Sequence, residues 1–108
     1  MFQWNEEMVR FMRDASEYSD YHRRLVQWML PDLRPGDHIC DAGCGLGYLS
    51  LALSPYVRRV TAADRSQEAL SVLRENCTRR AVHNIDIRSG DIRADSSDAA
   101  YDAMVFCF

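Results

Sequence analysis

Apolar residues change their spacing along this sequence, and each spacing predicts a different element. In residues 18–30 the apolar side chains recur every three to four positions, which is typical of an amphipathic helix. Residues 4–13 are expected to be helical as well. Pro31, Pro35 and Gly36 then end the second helix, and the stretch RPGD predicts a turn that leads into a strand.

Four short runs of strand-forming residues follow that turn. They cover residues 38–40, 59–63, 85–89 and 103–108. Two of the gaps between them are predicted to be helical, from about Gly47 to Ser54 and from about Gln67 to Arg80, with Ser66 as the N-cap of the second. Strands that alternate with helices predict an α/β fold: a doubly wound parallel sheet preceded by N-terminal helices.

The composition is that of one soluble domain. Apolar residues make up 47% of the 108 positions and charged residues 27%. The formal net charge of −3 argues against a general nucleic-acid binder, which would need a basic surface. The N-terminus lacks the pattern of a signal peptide, and the longest apolar run is too short to cross a membrane. We therefore expect a cytoplasmic protein without membrane association.

The four cysteines are interpreted as reduced thiols, because no secretory signal precedes them. Cys40 and Cys44 form a C-x3-C pair, which could suggest a metal or an iron–sulfur cluster. A radical-type cluster loop needs a third cysteine where this sequence has Gly47. Cys40 and Cys44 are therefore expected to be small buried apolar residues, and no metal is expected.

Three glycines follow the first predicted strand, and Asp41 stands two residues ahead of the first of them. The dinucleotide fingerprint G-x-G-x-x-G fails from Gly43, and from Gly45 it ends in serine. The Walker-type loop fails because the chain contains no lysine. A phosphate group would also be repelled by Asp41 in a medium of low dielectric constant. A ligand that brings positive charge to this loop fits better.

Two further carboxylates are expected at the same edge of the sheet. Asp64 ends the second predicted strand, where an acid can accept hydrogen bonds from both hydroxyls of a ribose, and Asp91 follows the third strand. Each one alone could be a turn or cap residue. Together with Asp41, they indicate a ligand that carries a cation, a ribose and a base.

Four stretches resemble the class I S-adenosylmethionine-dependent methyltransferases. ICDAGCGLGYLS is similar to the first motif of that family, VTAADRSQEALSVLREN to its second strand and following helix, GDIRAD to its adenine-contacting turn, and AYDAMVFCF to its fourth strand. The resemblance implies a Rossmann-like sheet in the order 3-2-1-4. It also implies the cofactor S-adenosylmethionine, with S-adenosylhomocysteine as the product.

The resemblance assigns cofactor contacts to eleven positions. Asp41 would hold the methionine ammonium directly or through water, Asp64 the ribose hydroxyls, and Asp91 the adenine amino group. The others would line the methionine part, lie along or bond to the adenine, or cover the cofactor: Gly43, Cys44, Gly45, Gly47, Arg65, Ile92, Phe106 and Tyr21. His22 is expected to lie at the surface or to pack against its neighbours rather than to act in the site. No catalytic base is identified, since Cys107 stands where many members carry a polar or acidic residue.

The resemblance also implies an incomplete domain. The family builds seven strands, whereas this sequence is expected to stop after the fourth, with a helical segment (1–32) covering a cofactor-binding half-domain (33–108). The 108 residues alone are therefore not expected to be active. The fourth strand would be an exposed edge, so self-association through it is expected.

Other functions stay open beside a methyltransferase of unknown substrate. They are an NAD(P)-dependent oxidoreductase with a Rossmann domain, a non-catalytic methyltransferase-like module, and an aminopropyl transferase on the same fold. The acidic charge favours a small-molecule methyl acceptor over nucleic acid or protein.

Overall fold

Four parallel strands form the sheet of this protein in a computed structural model that describes residues 5–10, 20–90 and 101–106. The strands are β1 (His38–Ala42), β2 (Arg59–Asp64), β3 (Ile85–Ser89) and β4 (Ala103–Phe106). Their order is β3-β2-β1-β4, and every neighbouring pair is parallel. The expected strand order is confirmed.

Helices connect and precede these strands. In the described residues α1 covers 6–10. The others are α2 (Tyr21–Met29), α3 (Tyr48–Leu53) and α4 (Gln67–Arg79), with 3₁₀ turns at Leu30–Asp32 after α2 and at Ser54–Tyr56 after α3. The predicted helix over 18–30 is thus α2 and the start of a 3₁₀ turn, because Pro31 cannot continue an α-helix. Residues 18 and 19 lie outside the described residues.

The cap predicted for α4 is confirmed. Ser66 Oγ accepts a hydrogen bond from the backbone N–H of Ala69 at 3.2 Å, which satisfies one of the free donors of the first turn. Leu70 and Leu73 follow on the buried face of the helix, and both are 0% exposed. The Ser66 cap fixes where α4 begins, just beyond the carboxyl end of β2.

Side chains alternate between the two faces of the central strands, as β geometry requires. Ile39 of β1 and Val60 of β2 pack with Val26 of α2 under the helices. Cys40 and Ala63 pack on the opposite face, against Tyr101. Since β1 and β2 are covered on both faces, a residue near the middle of β1 is shielded from water whichever way it points.

The fourth strand pairs with β1 and has no second neighbour among the described residues. Met104 in this strand is 41% exposed. The expected self-association through β4 stays a prediction. In the described part of the chain, no helix has the length and apolar character needed to span a membrane.

Candidate cofactor site

Asp41 lies inside β1 rather than beyond its end. The predicted strand stopped at Cys40, whereas β1 continues to Ala42. Asp41 is in register with Ala62 of β2 on one side and with Val105 of β4 on the other. This central position explains why its side chain is 0% exposed.

The carboxylate of Asp41 is only half satisfied. Its Oδ2 accepts a hydrogen bond of 2.6 Å from Ser50 Oγ, while its Oδ1 is buried with no hydrogen-bond partner. Burial raises the pKa of Asp41, the hydroxyl and backbone N–H of Ser50 lower it, and the negative charge of Asp64 raises it. A buried carboxylate oxygen without a donor is costly, and a cation nearby would offset that cost.

The glycine loop after β1 needs glycine for its backbone. The φ angles of Gly43, Gly45 and Gly47 are +72°, +57° and +82°, a region that other residues rarely adopt. At Gly47 a side chain would also collide with α4, since a Cβ there would lie 2.3 Å from Leu73 Cδ1. These glycines let the chain turn from β1 into α3 while it passes close to α4.

Four N–H groups of this loop are hydrogen-bonded within the protein. Gly43 and Cys44 both donate to the carbonyl of Ala63, at 2.8 and 2.9 Å. Gly47 donates to the carbonyl of Cys44 at 3.0 Å, and Gly45 donates to Asp64 Oδ2 at 2.9 Å. A phosphate-binding loop uses such donors for its ligand. Here they are already engaged, which is consistent with a ligand that brings positive charge.

Asp64 is the last residue of β2 and is half-buried. Its two oxygens are held by different backbone donors, Oδ2 by Gly45 and Oδ1 by Ser66 at 2.8 Å. A carboxylate oxygen can accept a further hydrogen bond beside such a donor. Asp64 therefore ties the glycine loop to the start of α4 and retains acceptor capacity for hydroxyl groups at the edge of the sheet.

The structure brings other predicted residues to the same edge. Cys44 is half-buried within the loop, and burial raises the pKa of its thiol, with Asp41 and Asp64 acting in the same direction. Arg65 is exposed directly after Asp64. Phe106 is in register with Ala42, so its backbone lies beside the start of the loop. Asp91 and Ile92 lie outside the described residues.

The N-terminal helix α2 reaches this edge through His22. The ring of His22 lies 5.2 Å from that of Tyr21 and 6.0 Å from that of Tyr48, the first residue of α3. Burial lowers the pKa of His22, which favours the neutral ring. The packing role expected for His22 fits these contacts, and Tyr21 itself is 58% exposed.

Ser50 is a site residue that the sequence reasoning missed. It is fully buried in a helix whose other residues are apolar or aromatic, and its hydroxyl binds Asp41. A lone serine on a buried helix face one turn beyond the glycine loop was the available signal. Among the described residues, no group of three or more His, Cys, Asp and Glu side chains could hold a metal ion.

Taken together, the site combines a buried carboxyl group in β1, a second carboxylate at the end of β2 and, between them, a loop in which Gly43, Cys44, Gly45 and Gly47 donate their N–H groups within the protein. Such an edge can attract a cation, accept hydrogen bonds from hydroxyls and exclude phosphate. On a parallel sheet in the order 3-2-1-4, it lies where β1 separates β2 from β4, the switch point at which open α/β sheets bind ligands.

Comparison with known proteins agrees with this fold. The chain matches the methyltransferase domain family over residues 39–108. The 23S rRNA (uracil(1939)-C(5))-methyltransferase of Shewanella sp. strain ANA-3 is 33% identical over 74 residues, covering 68% of this chain and 16% of that protein. The Ribosomal protein L11 methyltransferase of Thiobacillus denitrificans is 31% identical over 84 residues, covering 77% of this chain and 27% of that protein.

A solved structure shows the same fold. The S-adenosylmethionine-dependent methyltransferase from Clostridium acetobutylicum has a TM-score of 0.73 at 21% identity, covering 94% of this chain and 44% of that one. The chain belongs to the class I S-adenosylmethionine-dependent methyltransferase family, rather than to the NAD(P)-dependent oxidoreductases considered above. It spans about a sixth to a quarter of the length of the two curated relatives.

The expected preference for a small-molecule acceptor was wrong. By their names, the two curated relatives act on ribosomal RNA and on a ribosomal protein, both of which are macromolecules. The physical reason is that net charge is an average over the chain, whereas a macromolecule is bound by a local surface.

Proposed function

We propose that this domain binds S-adenosylmethionine at the carboxyl ends of β1 and β2 and serves a methyltransferase that modifies RNA. The observation that carries the proposal is the fully buried Asp41, whose Oδ1 has no partner, beside a glycine loop in which Gly43, Cys44, Gly45 and Gly47 donate their N–H groups internally. This combination suits a ligand that carries an ammonium and a sulfonium and does not suit a dinucleotide.

The residues present fit this cofactor in two ways. The oxygens of Asp41 are buried and do not form part of the surface, so its negative charge would act on a ligand from behind the glycine loop. The low dielectric constant of the protein interior strengthens the attraction to a cation. Asp64 lies at the surface edge and would accept the two ribose hydroxyls. When bound, the cofactor supplies an activated methyl group, and the protein contributes by holding donor and acceptor in line.

The proposed class of methyl acceptor is inferred from the names of the two curated relatives. The relative from Shewanella methylates a base of ribosomal RNA, as its name states. An enzyme of this kind needs a cofactor site near a surface that can hold RNA. A ribosomal protein as acceptor, as named for the relative from Thiobacillus denitrificans, is the alternative outcome of the test below.

Titration calorimetry with S-adenosylhomocysteine tests the cofactor site. Asp64→Ala removes the acceptor of two charge-assisted hydrogen bonds, each worth about 1.5–3 kcal/mol, so we expect an affinity lower by at least roughly ten-fold. Asp86→Ala is the matched control, because Asp86 is an exposed carboxylate that pairs with Arg59 away from the loop. Its affinity should equal that of the wild type.

Unchanged affinity in Asp64→Ala would contradict the proposed site, as would binding of NAD in place of S-adenosylhomocysteine. The acceptor is tested separately with the whole protein that carries this domain. With S-adenosylmethionine that carries a radioactive methyl group, we expect label to be transferred to unmodified ribosomal RNA. Label found in ribosomal protein alone would overturn the RNA assignment.

A further inference from the structure

The outer face of α2 exposes more aromatic surface than a helix packed on a sheet usually does. Trp28 is 76% exposed and Tyr21 is 58% exposed, whereas Val26 on the inner face is 1% exposed. Together with Tyr56, just beyond α3, they are three of the four large apolar side chains found exposed in the described residues. Large aromatic groups left in water, clustered on one element, mark an interaction surface.

Tyr21, Arg24 and Trp28 share one face of this helix, which we call the α2 stripe. Their spacing of three and four residues places them one turn apart, so the two aromatic residues lie about 10 Å apart along the axis. The side chain of Arg24 is 75% exposed, and its contact with Asp20 is 3.9 Å long between exposed groups, a pairing of little strength. The stripe therefore alternates aromatic, cationic and aromatic groups.

The local charge on α2 differs from that of the whole chain. The helix contains Arg23 and Arg24 and no acidic residue, although the chain as a whole carries −3. A basic and aromatic surface matches nucleic acid, because phosphates need cations and bases need flat apolar groups on which to stack. A second copy of this chain could place carboxylates against the arginines, but it brings no bases to stack on the aromatic rings.

The stripe also begins next to the cofactor site. Tyr21 contacts His22, whose ring lies 6.0 Å from that of Tyr48, the residue that follows the glycine loop. A strand lying along α2 would thus run toward the edge of the sheet where the methyl donor binds.

We propose that the α2 stripe binds single-stranded RNA, with bases stacked on Trp28 and Tyr21 and a phosphate on Arg24. Single strands are favoured because unpaired bases present the faces that aromatic side chains need. This inference rests on the proposed function, since it names the surface that would hold the RNA acceptor.

Fluorescence anisotropy with a short labelled single-stranded RNA tests the stripe. Trp28→Ala should weaken binding about five- to a hundred-fold, the range for loss of one stacked base, and Trp28→Phe should restore most of it. Arg24→Gln should lower the slope of log affinity against log salt by about 0.7, as expected for one lost phosphate contact. Met104→Ala, which removes an exposed apolar side chain on β4 rather than on α2, is the control and should bind like the wild type.

Other results would overturn the inference. RNA affinity that is equal in Trp28→Ala and Met104→Ala would exclude the stripe. A mass by light scattering that falls from dimer to monomer only in Trp28→Ala would exclude it as well. Titration with S-adenosylhomocysteine on the same variants keeps the two proposals apart. Trp28→Ala should bind S-adenosylhomocysteine normally, so loss of RNA binding in this variant would be assigned to the stripe alone. A wild type that binds RNA but not S-adenosylhomocysteine would contradict only the proposed cofactor site.

Discussion

Replacing Ser50 with alanine should destabilise this domain strongly for such a small change. Ser50 Oγ donates to Asp41 Oδ2 at 2.6 Å, and both side chains are 0% exposed. A hydrogen bond to a charged group contributes about 1.5–3 kcal/mol. Because the bond is buried and charge-assisted, we expect the free energy of unfolding to fall by about 2–3 kcal/mol. For a domain of this size, the melting temperature should drop by roughly 10–20 °C.

The loss of stability in Ser50→Ala should depend on pH, because the hydrogen bond that is lost involves the titratable carboxyl group of Asp41. Burial raises the pKa of Asp41 in the folded protein, and the donors of Ser50 partly oppose that rise. The Ser50 bond favours the ionised carboxylate, so its contribution is present when Asp41 is ionised. It is lost as the pH falls through the raised pKa of the folded state. The difference in stability between wild type and Ser50→Ala should be largest at neutral pH and should shrink in acid.

Urea unfolding followed by circular dichroism at several pH values measures this difference. Ser54→Ala is the matched control, since Ser54 is also buried but its hydroxyl donates to the neutral carbonyl of Leu51 at 3.0 Å. Its cost should be about 1 kcal/mol and independent of pH. Equal, pH-independent losses in the two variants would refute the reasoning, because they would mean that Asp41 is not an ionised acceptor.

Two further predictions concern the glycine loop. Gly47→Ala should lower the free energy of unfolding by about 1–2 kcal/mol for its left-handed backbone alone, and further through the collision with Leu73. Gly36→Ala is the control, because nothing lies within 4 Å of a Cβ at that position, and it should melt like the wild type. Equal melting temperatures for Gly47→Ala and Gly36→Ala would contradict this account. Cys44 should react slowly with thiol reagents at neutral pH, because burial and nearby carboxylates raise its pKa. Peptide mass spectrometry that finds Cys44 alkylated as fast as a free thiol would show that the loop is open.

Much of the fold could be predicted because its signals are local. Ser66 followed by Gln67 and Glu68 marks the start of a helix, and the structure begins α4 at Gln67. Strand ends were less accurate, since β1 and β2 each continue beyond the predicted run. Strand length is set by the hydrogen bonds of the neighbouring strand, which the local pattern does not contain.

The sequence predicts candidate site residues at one edge of the sheet, but it does not predict how deeply they are buried. The sequence places Asp41 before the glycines, yet the full burial of its side chain comes from pairing with both β2 and β4. Ser50 was missed for the same reason, because its partner lies in another element. The acceptor class was predicted wrongly from net charge, since the charges that matter for a macromolecular partner are those of one local surface.

The internal hydrogen bonds of the loop explain why an aspartate precedes a glycine-rich turn. In a phosphate loop, the same glycine conformations would aim N–H groups at the ligand, and a buried carboxylate nearby would oppose binding. Here the carbonyl of Ala63 and the carboxylate of Asp64 accept those N–H groups instead. Those donors are therefore not available to a phosphate group, and Asp41 places a buried carboxyl group just before the loop. The glycines thus serve the tight turn and the close approach to α4, while the two aspartates determine which kind of ligand the turn can accept.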